Sequence, residues 1–130
     1  PPGTGDIPLS LAQSVALSGA VVVTQPPRVA ASEARKAAQM FRTLEVPVLG
    51  LVENMTGEFG TGTGRAVAGE LDMTYLGSIP FGREMVGEGD AGTPTVVARP
   101  ESACSIAFVH AARAVAGALG WDYTPPSPAA

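Results

Sequence analysis

The sequence predicts an α/β fold: a three-layer arrangement of helices on both faces of a mainly parallel sheet. Three observations carry this. Residues 20–24 (AVVVT) and 46–52 (VPVLGLV) are short, nearly continuous apolar runs with β-branched residues, and residues 75–79 form a third short strand closed by Pro80. Strands that are apolar throughout belong to sheets covered on both faces. The segments between them carry helical periodicity, so the order is helix, strand, helix, strand, helix, strand, helix, which is the pattern of a covered parallel sheet.

Each element has a local reason. Asp6 can cap a helix over 7–17, with Pro8 tolerated in its first turn, and Ser18-Gly19 stop it. Gln25-Pro26-Pro27 ends the first strand. Over 31–45, Ala34, Ala37, Ala38, Phe41 and Leu44 fall on one helical face, with the charged residues largely off it. Residues 54–64 read as a Gly/Thr loop, 65–71 as a short helix, and 82–94 as loop with one helical turn at most. The last helix is expected over 102–119, with Cys104, Phe108, Ala111, Ala112, Val115 and Leu119 inward and Gly120 as its stop. Residues 124–130 hold three prolines and no apolar pattern, and read as a flexible tail, with Trp121 and Tyr123 pinning the chain end to the last helix. A sheet of three strands leaves both edges open. The chain is therefore expected to be part of a larger doubly wound domain.

Composition removes several functions. The 130 residues are 45% hydrophobic and 15% charged, in the range of globular domains. The 16 Gly and 12 Pro point to many tight loops. The net charge is −4, from 8 basic and 12 acidic residues with no basic block. Neither nucleic acid nor a membrane surface is therefore an expected partner. No apolar run approaches the ~20 residues that span a bilayer. Cys104 is the one cysteine, so no internal disulfide can form, and a lone thiol fits a reducing, cytoplasmic setting. The start at Pro1-Pro2 fits a mature or truncated N-terminus.

Three segments could carry chemistry. In PPGTGD (residues 1–6), two glycines flank a Thr ahead of a helix. Backbone N–H groups and the positive helix end could meet an anion there, or the segment could be a capped turn and nothing more. Glu53-Asn54-Met55 stands at the expected end of the second strand, the edge where ligands collect in open α/β sheets. An Asn there offers a donor and an acceptor to a base edge, and is equally an ordinary loop residue. Gly77-Ser78-Ile79-Pro80-Phe81 ends the third strand at the same edge, as a pocket wall or as a strand stop with a core Phe.

Taken in order, PPGTGD, GAVVVT (19–24), ARKAAQMF (34–41), VPVLGLVENM (46–55), FGTGTG (59–64), LGSIPF (76–81) and GDAGTP (89–94) resemble the Mrp (ApbC-like) family of MinD/ParA-related P-loop ATPases over about residues 1–98. The resemblance implies that residues 1–123 are the C-terminal portion of one P-loop NTPase domain. It implies a second switch loop lined by Gly3, Thr4, Gly5 and Asp6, an adenine contact at Asn54, and a base-pocket wall at Pro80 and Phe81. It also implies ATP with Mg²⁺, slow hydrolysis, a homodimer, and delivery of [4Fe–4S] clusters to apoprotein clients. No residue in this set is expected to be catalytic or to ligate a metal.

Two departures qualify that picture. Lys36 is the one lysine, and no Gly-Lys-Ser/Thr occurs, so these residues alone cannot complete an ATPase site. The resemblance also expects a Cys-x-x-Cys pair before the FGxGxG loop, but only Thr56-Gly57-Glu58 stands there. Thiolates hold such clusters, so the departure argues against a cluster at that place. A MinD/ParA-like regulatory or positioning ATPase without a cluster, and an inactive fragment, are the alternatives. Cys104 reads as core, and His110 as a surface residue. Gly60-Thr61-Gly62-Thr63-Gly64 lacks the context of a dinucleotide fingerprint and reads as a mobile loop before a helix.

Overall fold

A computed structural model describes residues 5–122 of the chain. Three strands, β1 (Ala20–Thr24), β2 (Val48–Thr56) and β3 (Tyr75–Pro80), form one parallel sheet in the order β1-β2-β3. The helices are α1 (Asp6–Ser14), α2 (Arg28–Thr43), α3 (Thr63–Glu70), α4 (Glu84–Asp90), α5 (Thr95–Ala98) and α6 (Ala103–Ala118). Each parallel pair is joined by a crossover containing a helix, as parallel pairing requires. Register places Val22 beside Leu51 and Thr24 beside Glu53, then Val52 beside Gly77 and Asn54 beside Ile79.

Alternation along the strands splits the core in two. On one face Val22 and Leu51 pack under Ala31, Ala34 and Ala38 of α2 and Val67 and Ala68 of α3. On the other, Val52, Leu76 and Ile79 pack under Ala111 of α6, with Ala107, Ala114 and Val115 beside it. The alanine-lined faces let the helix axes lie close to the sheet. Gly50 lets β2 lie against the start of β3: a Cβ there would lie 2.5 Å from the Thr74 carbonyl oxygen, and its φ is +156°. The expected three-layer α/β architecture is therefore present.

Several boundaries differ from expectation. β2 continues to Thr56 rather than ending near Val52. Glu53, Asn54 and Thr56 pair with β3, and buried Glu53 and Thr56 break the apolar pattern that marks a strand. α1 stops at Ser14, where Val15 turns extended. Two helices, α4 and α5, replace the expected single turn over 82–94 and just beyond. Glu88 holds them together: it accepts from Thr95 Oγ1 at 2.6 Å and from Arg99 Nε at 2.6 Å.

The inward face of α6 is turned from the expected one. Phe108 and Ala112 are exposed, while Cys104, Ser105, Ala111 and Ala116 are buried. Small residues allow α6 to approach β3 where a ring would hold it off. Trp121 is 65% exposed, so among the described residues its ring does not pin the chain end, while its backbone N–H donates to the Ala116 carbonyl. Tyr123 and the tail over 124–130 lie outside the described residues. Among the described residues β1 pairs with β2 alone, and Val23 on that edge is 58% exposed. No helix among the described residues is long and apolar enough to cross a membrane.

Candidate functional site

The C-terminal ends of the three parallel strands share one edge of the sheet. Thr24 and Gln25 stand there from β1, Asn54 to Thr56 from β2, and Pro80 and Phe81 from β3. A cavity of about 790 Å³ runs along β1 between α1 and α2 and reaches this edge, with Pro8, Leu11, Thr24, Gln25 and Asn54 among its lining. The first turn of α1 and Asn54 thus face one space, although 46 positions separate Pro8 from Asn54 in the sequence (54 − 8 = 46).

Of the residues expected around the second switch, Gly3 and Thr4 lie outside the described residues. Gly5 is the N-cap of α1 at φ −85°, and Asp6 is exposed in its first turn. An acidic residue at this position favours the positive helix end.

Asn54 is half-buried, and its Oδ1 accepts from the backbone N–H of Met55 at 2.9 Å. Since a backbone N–H only donates, this bond fixes the amide orientation. Nδ2 then keeps its two donor hydrogens, with no bonded partner among the described residues. Met55 pays for this local turn with a left-handed φ of +60°. The arrangement presents a hydrogen-bond donor at the strand edge.

Pro80 and Phe81 are held from both sides of the sheet. The Pro80 carbonyl accepts from Cys104 Sγ at 3.4 Å, and the Phe81 N–H donates to the Thr56 carbonyl at 2.9 Å. Cys104 is buried at the start of α6, as its apolar surroundings in the sequence suggested. The Phe81 ring meets the edge of Phe59 at a centroid distance of 5.7 Å and an interplanar angle of 77°. Phe59 sits on a tight turn closed by two backbone bonds between Gly57 and Gly60, 2.9 and 3.2 Å.

Glu53 is a functional candidate that composition alone gave little reason to single out. It is fully buried, and its carboxylate accepts from the N–H groups of Gly62 (3.0 Å) and Gly64 (2.9 Å) and from the Tyr75 hydroxyl (3.5 Å). It therefore caps α3 from a distance, in the place of a local N-cap side chain, which Gly62 lacks. The loop before α3 is anchored rather than loose. Burial holds the Tyr75 phenol above its ordinary pKa, and the Glu53 carboxylate adds to this, against Ser78 and Arg65. The Arg65 guanidinium lies 4.4 Å from the Tyr75 ring centroid, a cation–π distance. The signal for Glu53 was a Glu inside an apolar run followed by a Gly-rich helix start.

His110 is exposed on α6, in keeping with a surface histidine. Among the described residues no group of three or more His, Cys, Asp or Glu is arranged to hold a metal ion.

Comparison with known proteins bears on this geometry. The ParA-group family described as NUBPL iron-transfer P-loop NTPase matches residues 1–116. The iron-sulfur cluster carrier protein of Salmonella typhimurium is 43% identical over 133 aligned positions, which cover 94% of this chain and 36% of that protein. The carrier protein of Deinococcus radiodurans is 44% identical, covering 92% and 37%. Mouse iron-sulfur cluster transfer protein NUBPL is 40% identical, covering 88% and 40%. The chain thus spans little more than a third of the length of these relatives. Among solved structures, MinD in the MinC:MinD complex of Aquifex aeolicus aligns with a TM-score of 0.68 at 16% identity, covering 85% of this chain and 46% of that one. MinD of Pyrococcus horikoshii, solved with Mg-ADP, aligns at 0.66 and 24% identity, covering 75% and 41%. At these identities the likeness establishes the fold.

Proposed function

The chain belongs to the NUBPL iron-transfer P-loop NTPases of the ParA group, and from that premise we propose that it supplies the base pocket and second switch of an ATP-dependent iron–sulfur cluster carrier. The observation that carries this is the orientation of Asn54. Its Oδ1 is tied to Met55 N–H, its Nδ2 is left as a donor, and the residue lines the cavity that the first turn of α1 also lines. A donor fixed at a strand edge suits a ring nitrogen of adenine. Pro80 and Phe81, at the end of the adjacent strand and outside that cavity's lining, are assigned the other wall of the base site, and Gly3, Thr4, Gly5 and Asp6 the switch before α1.

The residues present fit the base half of such a site. The phosphate half and Mg²⁺ call for a Gly-Lys-Ser/Thr loop, which these 130 residues do not contain. Bound Mg-ATP would supply the phosphoanhydride whose hydrolysis drives the cycle. The chain's own part is to hold the base and to report on the phosphate through α1. The cargo raises a separate count. Four thiolates hold a [4Fe–4S] cluster, and this chain has Cys104 alone, buried in the first turn of α6. Cluster ligands therefore come from outside these residues. We place the full-length protein as a cytoplasmic homodimer that delivers its cluster to apoprotein clients.

The test is an ATP titration of the full-length gene product by calorimetry. Asn54→Ala is expected to weaken ATP about three- to tenfold, the worth of one hydrogen bond. Wild-type affinity in that variant would remove Asn54 from the base pocket and with it this reading.

A further inference from the structure

The turn over 57–60 lies where the family resemblance would place cluster-ligating cysteines, and its side chains point to a different task. Gly57 and Gly60 exchange backbone hydrogen bonds at 2.9 and 3.2 Å, so the loop is shut into a single tight reversal. Both glycines adopt positive φ, +99° and +95°, which this reversal requires. From it and from the adjoining end of β2, three contacts run to residues 81–83. Thr56 O accepts the Phe81 N–H at 2.9 Å, the Phe59 ring stands edge-on to the Phe81 ring, and Glu58 Oε1 pairs with Arg83 at 3.2 Å. On its other side the turn meets the end of β1: a Cβ built on Gly60 would lie 3.6 Å from Pro26 Cβ. The turn therefore spans the strand-end edge, from the Pro26 side to the Phe81 side, past Asn54 on β2.

A segment with no thiol, closed on itself and fastened to Phe81 and Arg83 by two of its side chains beside the Thr56–Phe81 backbone bond, is built to fix a position. We propose that the 57–60 turn braces the base-pocket wall and that Phe59 is a positioning residue for purine recognition, acting through Phe81. This rests on the base-pocket reading above and adds to it a residue that determines nucleotide affinity from outside the pocket. Phe59 is suited to the role because it is half in solvent: the residue is 51% exposed, so the fixed partner of its ring is the Phe81 ring rather than a core. Removing it therefore takes away a brace and leaves both core clusters intact, since Phe59 belongs to neither. The edge-to-face geometry restricts the Phe81 side chain and, through the adjoining Thr56–Phe81 bond, the backbone that would face the base. The Glu58–Arg83 pair is largely solvated and contributes direction more than energy.

The experiment compares two ligands on the full-length protein: ATP, and inorganic tripolyphosphate, which lacks a base. Phe59→Ala is expected to weaken ATP about two- to tenfold, the size of one aromatic pair, and to leave tripolyphosphate affinity and the melting temperature near wild type. Phe59→Trp, which keeps a ring at that position, is expected to restore ATP affinity. Glu58→Gln is expected to shift ATP affinity in the same direction by a smaller factor. Unchanged ATP affinity in Phe59→Ala, or equal loss for both ligands, would overturn the brace. Asn54→Ala separates the two levels. If Asn54→Ala weakens ATP and Phe59→Ala does not, the brace alone fails; if neither does, the base-pocket reading fails with it.

Discussion

The N–H of Gly64 donates to Glu53 Oε1 at 2.9 Å, and a Cβ on Gly64 would lie 2.7 Å from Glu53 Cβ. Strand β2 and the start of α3 are thus in contact at a point that admits no side chain. Glu53→Ala strips the acceptor from two backbone donors and is expected to destabilise the protein by about 2–4 kcal/mol, since an unsatisfied buried group costs about 1–3 kcal/mol. Gly64→Ala crowds the same point and is expected to cost about 1–3 kcal/mol. Urea unfolding measures both. A stability within experimental error of wild type for Glu53→Ala would mean that water replaces the carboxylate and that α3 needs no such anchor.

A core position under α2 and α3 and an exposed position on α6 give a contrasting pair of expectations. Leu51 is fully buried in the core under α2 and α3, and Leu51→Ala should cost about 2–5 kcal/mol. Phe108, which its sequence spacing placed inside, is 37% exposed on α6. Phe108→Ala is expected to stay within about 0.5 kcal/mol of wild type, as surface changes do. A large loss at Phe108 would show that another chain or segment covers this part of α6.

That contrast shows which physical signals the sequence carries. β1 was legible to the residue because AVVVT is uniformly apolar and bounded by Gly19 and Gln25-Pro26. β2 was legible in its first half only. Its second half holds a buried carboxylate, and the bonds that make Glu53 tolerable come from Gly62 and Gly64, positions no local pattern connects to it. α6 was legible as a helix, but its rotation was set by the small residues that fit β3, while Phe108 drew the expected face the wrong way. At the site, Asn54 was named from a motif and a strand end. Its amide orientation depends on the Met55 N–H and could not be read from the motif. Phe59 was visible only as part of FGTGTG, because its relation to Phe81 is made by a turn whose closure is tertiary in effect.

Alkaline stability should respond to Tyr75. Burial holds its phenol above the ordinary pKa in the folded state, with the nearby Glu53 carboxylate acting the same way. A group whose folded pKa is raised contributes stability that is complete below the unfolded pKa and is lost as pH rises through the folded one. The unfolded phenol titrates near 10, so the loss belongs to the alkaline side, beginning around pH 10. Tyr75→Phe removes the titrating group and should flatten the fall in stability above about pH 9.5, while leaving the acid side of the profile unaltered. Parallel alkaline profiles for the two proteins, followed by circular dichroism, would show that Tyr75 ionises as freely folded as unfolded.

Ser105 ties the start of α6 to the segment before it. Its side chain is fully buried; Oγ lies 3.0 Å from the Thr95 carbonyl and 2.6 Å from the Arg99 carbonyl, and accepts from Ser102 Oγ at 2.9 Å. Ser102 Oγ in turn accepts the Ser105 N–H at 3.1 Å, closing the N-cap of α6. One hydroxyl thus serves both α5 and the cap. Ser105→Ala removes the buried hydroxyl from two carbonyls that keep the Arg99 and Ser102 N–H groups as donors, and is expected to cost about 0.5–1.5 kcal/mol, the net worth of one hydrogen bond. The loss should be local before it is global, because α5 has only four residues and leans on this bond and on Glu88. Amide exchange should accelerate at Val97, Ala98 and Arg99, whose N–H groups bond to Pro94 and Thr95 carbonyls, while β2 amides keep their protection. Uniform acceleration across β2 and α5 would show instead that Ser105 supports the whole domain, with α5 no looser than the sheet.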